Sequence, residues 1–159
     1  MKEIQINLTV RVVSLDELTA DDRELVIKAK DMTANSYSPY SNFKVGAALR
    51  LADGSIYCGS NQENASFPVG LCAERTAFCF AQANAPEQAP VAIAIAAFTG
   101  GAFLGKPVSP CGACRQALLE AETRYGQPIR VLLYGEDGIY IVDSVRDLLP
   151  LTFDGSEME

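Results

Sequence analysis

Three cysteines and a glutamate are the residues of this sequence whose types and spacing could do chemistry. Cys72 and Glu74 stand in Cys72-Ala73-Glu74-Arg75, and Cys111 and Cys114 in Pro110-Cys111-Gly112-Ala113-Cys114-Arg115-Gln116. Two cysteines separated by two residues can grip one zinc ion from a single helical turn, and Cys72 offers a third thiolate. Both clusters fall at predicted helix starts, where the helix dipole and free backbone N–H groups favour thiolates. The chain contains no histidine. A fourth protein ligand would therefore be Cys58, Cys79 or a carboxylate. Cys79 lies two helical turns beyond Cys72, roughly 10 Å along the axis, too far to share an ion whose bonds are about 2.3 Å. Cys58 falls in a predicted strand, which leaves its place open. The simplest arrangement gives the fourth position to water, as in catalytic rather than structural zinc sites. Glu74 then handles that water's protons, since zinc lowers the pKa of bound water and a nearby carboxylate can accept a proton and pass it on. Three thiolates overcompensate a dication by one charge. Arg75 is expected to offset this by hydrogen-bonding a zinc thiolate. Cys58 and Cys79 are read as small buried hydrophobes.

The elements that must position these groups follow from periodicity. Ile4, Ile6, Leu8, Val10 and Val12 alternate with polar residues, the pattern of a half-buried strand over 4–13. Thr19 with Asp22 resembles a capping box, and Leu25, Val26, Ala29 and Met32 recur at helical spacing to about Asn35. Val45–Leu51 and Ile56–Gly59 flank the turn Ala52-Asp53-Gly54-Ser55 as a hairpin. A helix is predicted from Cys72 to about Ala85. The flat apolar run Val91–Phe98 suits a strand buried on both faces. Pro110 suits the first position of a helix that runs to Tyr125 and stops at Gly126. A second hairpin at Ile129–Tyr134 and Ile139–Val142 precedes a short helix over Ser144–Leu149. The predicted fold is a three-layer α/β/α sandwich around a mixed five-stranded sheet, with an extra N-terminal strand. Residues 1–17 form the strand extension, 18–153 the domain, and 154–159 an acidic tail expected to fray.

Composition narrows the function. The 159 residues carry 13 Lys and Arg against 20 Asp and Glu, a net charge of −7, with no basic run. That argues against nucleic acid as a partner. The longest apolar run, Val91–Phe98, falls well short of the roughly 20 residues a membrane helix needs. The N-terminus has no apolar signal-peptide core, so the expected compartment is the cytoplasm. Five scattered cysteines in a reducing compartment point to metal or catalysis rather than a disulfide framework.

A ligand-x-Glu motif followed by Pro-Cys-x-x-Cys matches the three-cysteine variant of the zinc deaminase signature. Cys72-Ala73-Glu74-Arg75-Thr76-Ala77, Ser109-Pro110-Cys111-Gly112-Ala113-Cys114-Arg115-Gln116, Tyr40-Ser41-Asn42-Phe43-Lys44-Val45-Gly46-Ala47-Ala48 and Asn61-Gln62-Glu63-Asn64-Ala65 together resemble the small homotetrameric cytidine deaminases. The similarity runs from about Leu18 to Phe153. It implies hydrolytic deamination of cytidine and 2′-deoxycytidine by a zinc-bound hydroxide, with Glu74 as proton shuttle and one Zn²⁺ per chain, in pyrimidine salvage. It further implies that Asn61 and Glu63 bind the ribose hydroxyls, that Phe43 packs on the nucleoside, and that the Ala73 backbone meets the pyrimidine edge. Phe67 stands where the family often has tyrosine. Phe153 would reach a neighbouring subunit's site in a homotetramer with sites at its interfaces. Gln62, where an aliphatic residue is common, and the strand before the usual family start are departures. The competing readings are a deaminase of a related aminopyrimidine nucleoside such as blasticidin S, and a non-catalytic, zinc-stabilised module whose metal is closed by four protein ligands.

Overall fold

In the computed structural model, which describes residues 1–158, the local start and stop signals act much as their chemistry dictates. After a short strand β1 (Arg11–Val13), Thr19 caps helix α1 (Ala20–Met32): its Oγ1 accepts the Asp22 N–H at 3.2 Å. A 3-10 turn at Thr33–Asn35 completes the predicted helical span. The first hairpin is β2 (Lys44–Leu51) and β3 (Ile56–Ser60). Helix α2 (Ala73–Asn84), strand β4 (Pro90–Thr99), strand β5 (Ala102–Phe103) and helix α3 (Gly112–Tyr125) follow. Gly126 ends α3 in the left-handed conformation, φ 61°, that its lack of a Cβ permits. The second hairpin is β6 (Arg130–Leu133) and β7 (Ile139–Val142). Ser144 then caps a 3-10 turn at Val145–Leu148.

The strands form one mixed sheet in the order β1-β7-β6-β4-β2-β3, with β5 paired to β4. Only β4 and β6 run parallel, joined through α3. The period of two sorts side chains onto opposite faces. Ala47, Leu49 and Leu51 of β2, with Ile93 and Ile95 of β4, pack against Ala73, Ala77 and Ala81 of α2 and Leu118 and Leu119 of α3. Ala48 and the alternate β4 residues Ala92, Ala94 and Ala96 face Leu25, Val26 and Ala29 of α1. This is the expected three-layer sandwich, with β4 buried on both sides. Five strands are those predicted, β1 is the extra one at the edge, and the two-residue β5 is an addition.

Helix–sheet approach is set by two glycines. A Cβ on Gly46 would meet the Ala29 carbonyl oxygen of α1, and one on Gly59 would meet the Ala77 nitrogen and lie 2.8 Å from the Ala73 oxygen of α2. Both obstacles are backbone, so a helix must move to admit a methyl. Gly59→Ala is expected to cost about 1–3 kcal/mol by overpacking. At this chain length that lowers Tm by several degrees. Because the displaced helix carries Cys72 and Glu74 at its start, activity should fall along with Tm, by roughly tenfold or more. Thermal melts and steady-state rates of the variant check both. A buried carboxylate holds the far end of α3. Glu122 accepts the Ile129 and Val145 N–H groups, each at 2.8 Å, and the Ser144 hydroxyl, tying the helix to β6 and to the final 3-10 turn.

Several expectations are corrected. Only Arg11–Val13 of the alternating N-terminal segment is strand, paired with Tyr140 at its centre. β7 ends at Val142, one residue past the partner of Arg11, so the backbone before Val10 has no strand of β7 opposite it, and Ile4, Ile6, Leu8, Val10 and Val12 are exposed rather than half-buried. Pro110 precedes α3 by two residues and is not its first position; Cys111 is the N-cap. Cys79 is exposed on α2, and Cys58 is half-buried. The acidic tail carries a 3-10 turn at Gly155–Met158, and Asp154 pairs with Arg146 at 3.2 Å. Glu159 lies outside the described residues. No helix among the described residues is long and apolar enough to cross a membrane.

Candidate active site

The starts of α2 and α3 converge on one side of the sheet, and each presents a cysteine at its N-cap: Cys72 for α2 and Cys111 for α3. An N-cap side chain lies over the free N–H groups of the first turn, so two positive helix ends face the same sulfurs. Cys114 projects from the first turn of α3 and is fully buried. The sulfurs of Cys72 and Cys111 are 3.7 Å apart and those of Cys111 and Cys114 3.5 Å, and all three lie within 4.8 Å of one another. Thiolates at about 2.3 Å from a tetrahedral zinc are separated by about 3.8 Å, so the trio has the spacing of three corners of that tetrahedron.

The charge of the trio fits a dication too. The Cys72 thiol is pulled down to about 5, first by its contact with Cys114 and then by Cys111 and Arg75, against the opposing effect of burial. The Cys114 thiol is pushed up, chiefly because it shares a proton with Cys72, then by burial and the charge of Glu74. Without a cation Cys114 keeps a proton that it would have to give up to serve as a thiolate beside Cys72. A divalent ion removes that conflict. The Arg75 guanidinium borders Cys72 and Cys114, and its Nε is buried with no hydrogen-bond partner.

Glu74, second residue of α2, is buried. Burial pushes its carboxyl above the ordinary carboxylate range, the charge on Cys72 adds to this, and its own N–H at the helix start works in the other direction. It lines a cleft of about 380 Å³ together with Cys72, Ala73 and Cys111. Val45 of β2 and Ile95 of β4 also line it, and the remaining wall includes Asn61, Glu63 and Phe67. Asn61 is tied on both sides: its Oδ1 accepts from Ser36 Oγ at 2.5 Å and Val45 N at 2.8 Å, and its Nδ2 donates to the Phe43 carbonyl at 2.9 Å. Glu63 accepts from the Ser41 hydroxyl and from the Tyr40 and Ser41 N–H groups at 2.8 and 3.3 Å. These bonds hold its carboxyl below the usual range, Ser41 contributing most.

The structure thus brings Cys72, Cys111, Cys114, Glu74, Arg75, Ala73, Asn61, Glu63 and Phe67 to one place. Phe43 and Phe153 do not line the cleft. Phe43 is linked to it through its backbone, its carbonyl accepting from Asn61 Nδ2 at 2.9 Å. Phe153 is exposed, its carbonyl accepting from Gln116 of α3 at 2.9 Å. Tyr40, which meets Phe67 edge-on with ring centres 5.9 Å apart, lines the cleft instead, as do Val108 and Ser109. Tyr40 and Ser109 stand within the quoted motifs, so position beside a motif was the available signal. Which side of each loop faces inward was not.

Three cysteines at two helix starts, with a buried carboxylate two residues after the first, present the donor set that a mononuclear zinc centre of the hydrolytic kind requires. Residues 19–125 match the family described as the cytidine and deoxycytidylate deaminase zinc-binding region, and the chain belongs to that family. A curated cytidine deaminase of Halalkalibacterium halodurans is 41% identical over 141 residues, 86% of this chain and 98% of the relative. The crystal structure of a cytidine deaminase from Burkholderia pseudomallei is 41% identical with a TM-score of 0.71, covering 86% of this chain and all of that one. That of Mycobacterium tuberculosis is 31% identical with a TM-score of 0.67, covering 86% and 99%.

Proposed function

We propose that this chain deaminates cytidine and 2′-deoxycytidine hydrolytically, giving the corresponding uridines and ammonia. The observation that carries the reading is the buried Glu74 at the start of α2, between the three sulfurs and a cleft whose other wall presents an amide and a carboxylate. Cys72, Cys111 and Cys114 would hold the zinc, which supplies the acidity that makes a water nucleophilic at neutral pH. Glu74 takes the proton that water releases, delivers it to N3 of the pyrimidine as C4 is attacked, and then assists protonation of the departing amine. Its raised pKa suits a group that must both hold and give up a proton. Arg75 would donate to a thiolate and draw off negative charge. The Ala73 backbone would meet the pyrimidine edge, Asn61 and Glu63 the sugar hydroxyls, and Phe67 would close over the nucleoside. Residues 18–153 form the catalytic unit, with 1–17 an addition at the sheet edge.

A homotetramer in the cytoplasm, acting in pyrimidine salvage, belongs to the same reading. Assembly is supported by the large apolar side chains left uncovered, among them Phe67 at 75%, Leu151 at 87% and Phe153 at 60% exposure. Phe153 would then complete a neighbour's site. The test is the ultraviolet change on mixing zinc-loaded protein with cytidine, together with ammonia release. Equal yields of uridine and ammonia are expected. Conversion of blasticidin S without cytidine would move the substrate class, and one bound zinc per chain with no turnover of either would make the metal structural.

A further inference from the structure

The geometry points to Ser41 as a positioning residue that sets how many hydrogen bonds the sugar wall of the cleft can make. This rests on the reading that Asn61 and Glu63 face the sugar of a nucleoside. Ser41 does not itself line the cleft; it stands behind Glu63. Its Oγ accepts the Phe43 N–H at 3.0 Å, so its one hydroxyl hydrogen is free for the Glu63 Oε1 it touches. The loop is fixed in this shape from elsewhere. Asn42 adopts φ 55°, a left-handed conformation that asparagine tolerates. Its N–H donates to the Ser38 carbonyl at 3.0 Å, and its own carbonyl accepts from Thr99 Oγ1 at 3.1 Å.

Counting donors and acceptors gives the consequence. Glu63 Oε2 accepts two N–H groups and Oε1 accepts the Ser41 hydroxyl, so the carboxylate has one acceptor site left. Asn61 Oδ1 already accepts twice and its Nδ2 donates once, so the amide has one N–H left. One acceptor beside one donor serves a single hydroxyl that gives its hydrogen to Glu63 and receives one from Asn61. Ser41 therefore makes the wall a reader of one sugar hydroxyl, with the carboxylate held in the rotamer that meets it.

The test compares cytidine with 3′-deoxycytidine, which lacks the hydroxyl most remote from the base on the sugar ring, in wild type and Ser41→Ala. Wild type is expected to prefer cytidine in kcat/KM by roughly 100-fold, the effect of losing a hydrogen bond between the hydroxyl and the charged Glu63. Ser41→Ala should cut that preference by about tenfold, the effect of losing one hydrogen bond to a charged group. The loss should appear in KM for cytidine, with turnover of 3′-deoxycytidine unchanged. A merely structural serine would lower both substrates together. Equal losses, or no change in the ratio, overturn the proposal. If the alanine variant does not fold, Ser41→Cys, similar in size and a weak donor, must give the same narrowed ratio. A wild type that deaminates cytidine but does not discriminate would sink this inference alone, whereas no deamination at all would remove the reading beneath it.

Discussion

Glu74→Gln is expected to abolish deamination, with kcat falling by about 10³–10⁴-fold, while one zinc per chain stays bound. The magnitude is that of losing a positioned general acid–base group. Glutamine matches the volume of the buried side chain and keeps the first turn of α2 intact, but its amide cannot accept a proton from water and hand it to a ring nitrogen. Because Glu74 is not one of the three sulfur ligands, metal content should be unaffected. The pairing of lost turnover with retained zinc is what identifies the carboxylate as a proton carrier rather than a support for the metal. A variant retaining a tenth of the wild-type rate would remove Glu74 from that role. Rates from absorbance and zinc from elemental mass spectrometry on the same sample settle it.

Cys114→Ser has the second large effect, and a different one. The serine hydroxyl is a poor zinc ligand, and two thiolates grip a dication far less tightly than three. Bound zinc is expected to fall below about a tenth per chain after dialysis, and activity with it, beyond rescue by added substrate. Cys114 is fully buried, so the new hydroxyl also enters the core, at a cost of about 1–3 kcal/mol if unpartnered. Cys79→Ser is the matched control: that thiol is exposed on the same helix as Glu74 and outside the trio, and its loss should change neither zinc nor rate. If Cys114→Ser retained a full complement of zinc, the three-sulfur site would be wrong.

The features that sequence made legible are those whose causes are local. Thr19, Gly126 and Ser144 mark helix ends with side chains or φ values acting within a few residues, and each stands where expected. Cys72, Glu74, Cys111 and Cys114 were readable for the same reason, being a helix-start motif repeated on two helices. What escaped depends on distant partners. Alternation over Ile4–Val12 is compatible with a strand but not sufficient for one. Only a neighbour of matching length makes one, and β7 has just four residues. The strand β5 exists because Gly100 and Gly101, both with positive φ, turn the chain back onto the end of β4. Likewise Tyr40 rather than Phe43 lines the cleft because the left-handed Asn42 between them reverses the loop. The hydrogen bonds that fix Asn61 and Glu63 come from residues some 16–25 positions away, beyond what spacing can report.

The convergence of the two helix starts also bears on how the protein matures. Cys72 and Cys111 are 39 residues apart, with the whole of β4, the strand buried on both faces, between them. The sulfurs cannot gather until that strand has been laid between β2 and β6, because only then do α2 and α3 rest side by side on one face of the sheet. Unlike a zinc finger, which is unfolded without its metal, this chain gathers its three sulfurs through the packing of two helices on one sheet, so a variant that loosens β4 is expected to lose zinc along with stability.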